Sequence, residues 1–535
     1  MAEAPPRKLS VWQSVRAVMG SWRLASVTLL SFSSGLPLGL VWIAIPTWMT
    51  RAGVDIKVVG LFTLAQAPWS FKFLWSPLMD RYPLPWLGRK RGWILLSQAA
   101  LLVLGVCLAG VGGDPGRVWL VAALALGTAL ASATQDIALD AYAVEVLRPE
   151  EHGMAVGART ALYRAGMFVS GGLAITLASH VDVTAWGTPL LRWEGSWSRV
   201  NLLLALFYLP SMWVTWRAPE PETPPQPPRS LREAAWGPFL GILGRSRALE
   251  ILAFVVLFKL GDNLTQALTR PFLVQVGFND VDVGVATATI GLVAVIVGTF
   301  LGGLLSDAVG LGPALWISGL LQIVSNLGYA VVAQVGVNRP VMYAAQAFEL
   351  GTSGLGSGAF GVLLLRLTQK RFSATQYALL SSLFSVPRVL AGPPAGLLAD
   401  ALGWRDFFVT TLAAGIPGLI MLQRFVPWGQ REPRLDEPAP PRTRKMTRAA
   451  IAGRAAIAGG VCWLVAVLSM AALAAIKDYR AGGPFDVARH LRPLVAPQDA
   501  GGWLTAAGMA FTALTASVLT AAALAARQHA RPLEP

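Results

Sequence analysis

We count fourteen apolar blocks in this chain, each long enough to cross a bilayer as a helix. A hydrocarbon layer of ~30 Å takes about 20 helical residues at ~1.5 Å each. The blocks lie near 24–49, 57–82, 92–112, 117–147, 152–180, 197–216, 248–276, 281–306, 312–334, 340–369, 374–400, 405–427, 450–476 and 500–526. In hydrocarbon every main-chain N–H and C=O must find its partner inside the protein, and helices do this locally. An all-α integral membrane protein is the expected fold class, since 54% of the 535 residues are hydrophobic and only 14% charged.

A formal charge of +15 suggests nucleic acid in a soluble protein, but here the cations sit between spans. Arg89, Lys90 and Arg91 follow the second block, Arg229, Arg232, Arg245 and Arg247 the sixth, and Lys370 and Arg371 the tenth. Arg424, Arg431, Arg434, Arg442, Arg444, Lys445 and Arg448 surround the end of the twelfth. The odd connections are poorer in cations, as in "GGDPG" at 112–116, so the positive-inside rule puts both termini in the cytoplasm. The loop 477–499, with Lys477, Arg480, Arg489 and Arg492, is the exception. The polar, basic N-terminus is unlike a cleavable signal peptide, so the first block is expected to stay in place. Cys107 and Cys462 fall inside blocks, where packing is the expected role; no disulfide framework or metal site is expected.

The chain also repeats itself. "TRAGVDIKVVG" at 50–60 resembles "VQVGFNDVDVG" at 274–284, and "YRAGMFVSGGLA" at 163–174 resembles "PRVLAGPPAGLLA" at 387–399. Gly53 matches Gly277, Gly60 matches Gly284, Arg164 matches Arg388 and Gly172 matches Gly396, all at one offset. Two six-helix halves follow, at 24–216 and 248–427, joined by a Pro-rich cytoplasmic linker at 217–247. Residues 1–23 form a cytoplasmic segment, 428–449 a second linker, 450–526 an additional two-helix hairpin and 527–535 a tail. Six plus six with a cytoplasmic linker is the plan of the major facilitator superfamily.

Six motifs in order narrow the resemblance. They are "SGLPLGL" at 34–40, "FKFLWSPLMDRY" at 71–82, "GRKRGW" at 88–93, "TQDIALDAY" at 134–142, "FKLGDN" at 258–263 and "RFSATQYALLSS" at 371–382. Over roughly residues 20–427 the chain resembles the AmpG-type muropeptide permeases, and acetyl-coenzyme A transporters resemble the same group. The resemblance implies a bacterial inner-membrane symporter that brings anhydromuropeptides inward with protons. It implies a small anionic cargo, protons and lipid as partners, a monomer, and no cofactor or metal. Thr134 stands where the permeases usually show Ser, which leaves an anionic metabolite such as acetyl-coenzyme A as the alternative cargo.

Charges inside the blocks are the candidate site, because each costs ~2.5–3.5 kcal/mol at a helix centre. Lys72 lies about 15 Å from the cytoplasmic end of span two. Ser76 and Asp80 follow on its helical face and Trp75 is its neighbour. It either pairs with an acid on another helix or faces the cavity as an anion-binding lysine. Asp136 and Asp140 share one face of span four, with Gln135 beside them. Two stacked acids can share a proton, although Asp140 is close enough to the end of the span to lie in headgroup water beside Arg148. Lys259, Asp262 and Asn263 fall within about one turn of span seven, where an internal ion pair is the plain reading. Glu349 of span ten has no cation nearby in the sequence, so it needs a partner or a proton, and it leads the candidates for coupling. Gly354 and Gly358 after it form a GxxxG pair that points to close helix packing.

In the superfamily plan spans one, four, seven and ten line the cavity, and these acids fall on three of the four. Arg164 and Arg388 fit either gating pairs or a two-handed clamp on cargo, since arginine cannot discharge. Asp80 with Arg89, Lys90 and Arg91, and its counterpart Asp307 at the end of "GGLLSD", resemble the superfamily's cytoplasmic latch. A membrane acyltransferase is the rival class, but His152, His180, His490 and His529 lie at span ends, in loops or in the tail, away from where a general base would act. A channel is disfavoured because the charges form no single ring. Reporter fusions at residues 225 and 438 should both read cytoplasm; a periplasmic signal at either breaks the span count.

Overall fold

A computed structural model describes residues 20–55, 65–84, 87–111, 115–179, 181–185, 188–193, 195–222, 225–243, 245, 247–433, 446–498 and 500–529. Gly60, residues 57–64 of the second block, His180 and Arg434, Arg442, Arg444 and Lys445 lie outside the described residues. Among the described residues nine helical stretches are long and apolar enough to cross a membrane, from Trp22–Arg51 to Arg448–Arg480. The other apolar blocks are helical in interrupted pieces, such as Trp197–Leu206 and Tyr208–Arg217. A two-stranded antiparallel hairpin, Val181–Ala185 with Thr188–Trp193, occupies the connection after span five in an otherwise helical set of described residues.

Interruptions follow from the sequence. In span two, Pro77 has no N–H to give and its ring crowds the carbonyl four residues back. The chain therefore tightens into a 3-10 turn at Lys72–Leu74 before a short helix Ser76–Arg81, and the Ser76 hydroxyl donates to the released Phe73 carbonyl at 2.9 Å. Spans one and five carry π-helical turns at Leu40–Ala44 and Val169–Leu173. The helix Gly392–Phe425 breaks at Gly403, with φ 70°, which separates spans eleven and twelve.

The repeat appears in the backbone. Gly53 and Gly277 both adopt positive φ, at 79° and 109°. Around each, two N–H groups close the end of a helix in the same way: Gly53 to Thr50 O and Val54 to Met49 O, Gly277 to Val274 O and Phe278 to Leu273 O, all 3.1 Å. This doubled closure at a left-handed residue is cheap only for glycine.

The chain packs as two compact units. The first takes residues up to Pro238 with Leu292–Ser318 and Leu350–Ser385; the second takes Phe239–Gly291, Gly319–Glu349 and Val386 onward. In the first unit, Leu36, Val41, Ile45, Trp48, Leu101 and Val121 form the buried apolar core, and Trp48 stacks on Trp197. In the second, Phe272, Tyr329, Phe407 and Phe408 are the centre. Cys107 is exposed, as is Val106 before it, so it lies on the surface of span three and fills no gap. The additional hairpin joins the second unit through Lys477 to Asp400 and Arg480 to Asp406 and the Leu402 carbonyl. Two cations of the exceptional loop are thus met by acids.

Spans eight and ten cross at glycines. A Cβ on Gly298 or Gly302 would overlap the carbonyl of Gly351 or Leu355, and one on Gly358 would overlap that of Thr299. Gly354, with Gly358, is therefore part of a packing seam. Gly302→Val should cost about 1–3 kcal/mol of stability, read as a lowered melting temperature in detergent. Gly453→Ala, where nothing lies within 4 Å, should leave it unchanged; equal melting of the two variants would count against the seam.

Candidate functional site

The first cluster is built on spans one, two, four and five, all in the first unit. Lys72 Nζ stands 3.5 Å from Asp140 Oδ2, and Arg159 from span five reaches Asp140 Oδ1 at 2.6 Å. A 3-10 turn at residues 72–74 stands between Lys72 and Ser76, and Lys72, Ser76 and Asp80 are all buried. Asp140 does not lie beside Arg148, which bonds instead to Glu222 of the linker at 2.6 Å. Arg159 also donates to Ser31 at 3.3 Å and hydrogen-bonds with Tyr377. One turn above Asp140, the Asp136 carboxylate accepts the Ser34 hydroxyl. Gln135 donates to Ser33 at 2.7 Å and Trp75 donates to Thr134 at 3.2 Å. Two cations here face Asp140 and Asp136, so a proton on Asp136 decides whether the cluster is neutral or carries one excess positive charge.

The second cluster lies in the second unit. Lys259 and Asp262 form the i,i+3 pair at 3.7 Å, next to a turn at Phe258 and Lys259 that interrupts span seven, and Asn263 is buried beside them. Glu349 is 1% exposed. It accepts from Gln266 Nε2 at 2.9 Å and from the Tyr329 hydroxyl at 3.4 Å, and the charges of Asp262 and Lys259 act on it. The partner that Glu349 needs is not local in sequence: the charge that acts on it belongs to Lys259, ninety residues earlier. Arg164 is half-buried in span five and Arg388 is exposed near the end of Ser373–Leu390. They belong to different units.

A third group sits at one end of the spans, again inside the first unit. Asp80 is fully buried. It receives Lys90 at 2.7 Å and Arg89 at 3.3 Å, the N–H groups of Ala374 and Thr375 at 3.1 and 2.8 Å, and the Thr375 hydroxyl at 2.7 Å. Those N–H groups open the helix Ser373–Leu390, whose N-terminal dipole favours an anion. Glu145 balances the second cation and accepts the Ser373 hydroxyl at 2.5 Å. Asp307 does the same for span five, accepting Gly153 N–H at 3.1 Å and Met154 N–H at 3.0 Å. Arg91 does not join: it binds Glu220 of the linker at 2.6 Å. Asp80 thus caps Ser373–Leu390 and Asp307 caps His152–Phe168, each a helix far from the acid along the chain.

Arg159, Glu145, Gln266 and Tyr329 are site residues the sequence reading passed over. Arg159 had a signal, being a cation deep in an apolar block, but Arg164 and its repeat partner drew the attention. Glu145, Gln266 and Tyr329 had none, because their partners are far along the chain.

The major facilitator superfamily model matches residues 27–391. The chain belongs to the major facilitator superfamily, in the group of AmpG-type permeases. It is 43% identical over 403 residues to the anhydromuropeptide permease of Escherichia coli (strain K12), covering 75% of this chain and 79% of the relative. A Rickettsia felis protein named putative transporter AmpG 4 is 27% identical, covering 76% and 97%. In fold it is similar to the proton:xylose symporter XylE, with a TM-score of 0.55 at 14% identity, covering 77% and 97%. Its relatives are permeases and transporters, the class the sequence favoured over an acyltransferase.

The Lys72, Asp140 and Arg159 arrangement makes a direct prediction. Asp140→Asn strands two cations and should cost about 3–5 kcal/mol, seen as loss of monodisperse protein after extraction, and adding Arg159→Gln should restore part of it. An Asp140→Asn protein as stable as the parent would show that the pairing carries no structural weight.

Proposed function

We propose that this multi-pass membrane transporter carries anhydromuropeptides, GlcNAc-anhydroMurNAc with or without peptide, from periplasm to cytoplasm together with protons. The identity to the E. coli permease over 403 residues is the observation that carries the cargo assignment. We place the protein in the bacterial inner membrane with both termini in the cytoplasm. The domain plan is two six-helix halves at 24–216 and 248–427, a linker between them and a further hairpin at 450–526.

The charge clusters support a coupling scheme. Lys72, with Trp75 and Gln135 beside it, is the cation that meets an anionic group of the cargo. Its 3.5 Å contact with Asp140 is looser than that of Arg159 at 2.6 Å, so Lys72 can leave while Asp140 stays neutralised. A proton on Asp136 leaves the cluster one positive charge in excess, which a cargo carboxylate offsets. Lys259, Asn263, Arg164 and Arg388 form the rest of the cargo-contacting set. Glu349, with Asp262, is the proton carrier of the second half, since a carboxylate in the membrane interior is costly when ionised and cheap when protonated. Asp140 joins Asp136 in the first half. Asp80, Arg89, Lys90 and Asp307 latch the cytoplasmic side by capping helices of the opposite half, and must release for cargo to leave inward.

Each proton entering with the field supplies ~2.3 kcal/mol per 100 mV, more than the ~1.4 kcal/mol that a tenfold accumulation needs. Proteoliposomes with an inward proton gradient should accumulate labelled anhydromuropeptide and not acetyl-coenzyme A; the reverse preference overturns the cargo assignment. Glu349→Gln should abolish accumulation yet keep cargo counterflow at equal pH. Accumulation by that variant would move the proton to Asp136 or Asp262.

A further inference from the structure

Between spans one, three, four and six of the first unit lies a small buried cavity lined by Leu36, Leu101, Thr128, Asn201, Leu204 and Tyr208, among others. Most of its wall is aliphatic, but Asn201 and Thr128 are only 1% and 3% exposed. Among the described residues, the amide oxygen and nitrogen of Asn201 and the hydroxyl of Thr128 have no hydrogen-bond partner. An amide that has left water and bonds to nothing is among the costliest arrangements in an interior. The space admits a water molecule, and a buried water meets about three polar groups of this kind.

The polar surface does not stop at the cavity. Ser132 follows Thr128 by one turn on the same face of span four, is fully buried, and its hydroxyl also lacks a partner. One turn further stands Asp136, about 12 Å from Thr128 along the axis. Tyr208, on the cavity wall, is within electrostatic reach of Asp136. Hydroxyls in helices commonly satisfy themselves on the carbonyl four residues back, as Thr134 does on Leu130 and Ser170 on Gly166. Thr128 and Ser132 make no such bond.

We propose that this cavity holds ordered water which, with Thr128, Ser132 and Asn201, links to Asp136 and forms a proton route through the interior of the first half. The route rests on the reading of Asp136 as a proton-coupling carboxylate; the water does not. Each water accepts one proton and passes one on, and the Asp136 carboxylate takes the last, so no other reactant is needed.

The test uses the full chain in nanodiscs and proteoliposomes. A density map fine enough to show water should place a molecule within hydrogen-bond distance of the Asn201 amide. Thr128→Val with Ser132→Ala removes the hydroxyls at little change in volume, and Asn201→Leu dries the cavity. Both should slow cargo-linked proton uptake, followed with a lumenal pH dye, about tenfold or more and leave cargo counterflow at the parent rate. The hydroxyl pair stands if Asn201→Leu fails to fold. A dry cavity overturns the proposal, as does wild-type proton uptake by the hydroxyl variant. Absence of cargo-linked proton uptake in the parent sinks the coupling scheme and the route together, whereas the map alone decides the water.

Discussion

Asp80 has been taken wholly out of water, and one end of the first unit is arranged around meeting that cost. An isolated buried carboxylate is untenable, so it gathers Lys90 and Arg89 from its own connection and two main-chain N–H groups and a hydroxyl from the start of Ser373–Leu390. Drawing in two cations requires a second anion, and Glu145 supplies it while binding Ser373. Arg89 then has donors left over, which go to the carbonyls of Lys370 and Arg371 at 3.4 and 2.6 Å. One buried acid thus fixes where the connection after span ten turns back and where the next helix begins.

The same rule, that charge brought into hydrocarbon must be met there, orders the clusters nearer the middle of the membrane. Asp140 is shared by Lys72 and Arg159, and Glu349 by an amide and a phenol. The two solutions differ in kind. The first holds a balance of full charges, so that one proton takes it from neutral to one excess positive charge. The second relies on neutral donors, with Lys259 and Asp262 paired nearby.

Much of the fold was legible because membrane spans are written in short range. The apolar blocks, the cation bias and the one-offset repeat each depend on residues within a span or on composition, and the glycines at 53 and 277 mark identical helix ends. The breaks at Pro77 and Gly403 were legible in principle, since each residue imposes its geometry locally. Pairing was not. That Lys72 meets an acid of another helix is one of its two sequence readings, but which acid was not legible, and Arg91 groups with Arg89 and Lys90 only because the three are adjacent. Which acid a cation meets is set by the angle at which helices cross, and no spacing rule within one helix carries that information. Arg159, Glu145 and Tyr329 escaped for the same reason.

Both acidic helix caps have a main-chain side. Asp307 is received by the N–H groups of Gly153 and Met154, Asp80 in part by those of Ala374 and Thr375. A peptide N–H belongs to every residue except proline, so at Met154 and Ala374 the receiving half of each contact is indifferent to side-chain identity. Only the acids can be lost by a single codon change of ordinary kind. Gly153 is the exception, because a Cβ there would overlap the Gly303 carbonyl. The main-chain side of these caps therefore presents a small mutational target: two carboxylates and one close approach of backbones, with the rest held in the path of the main chain.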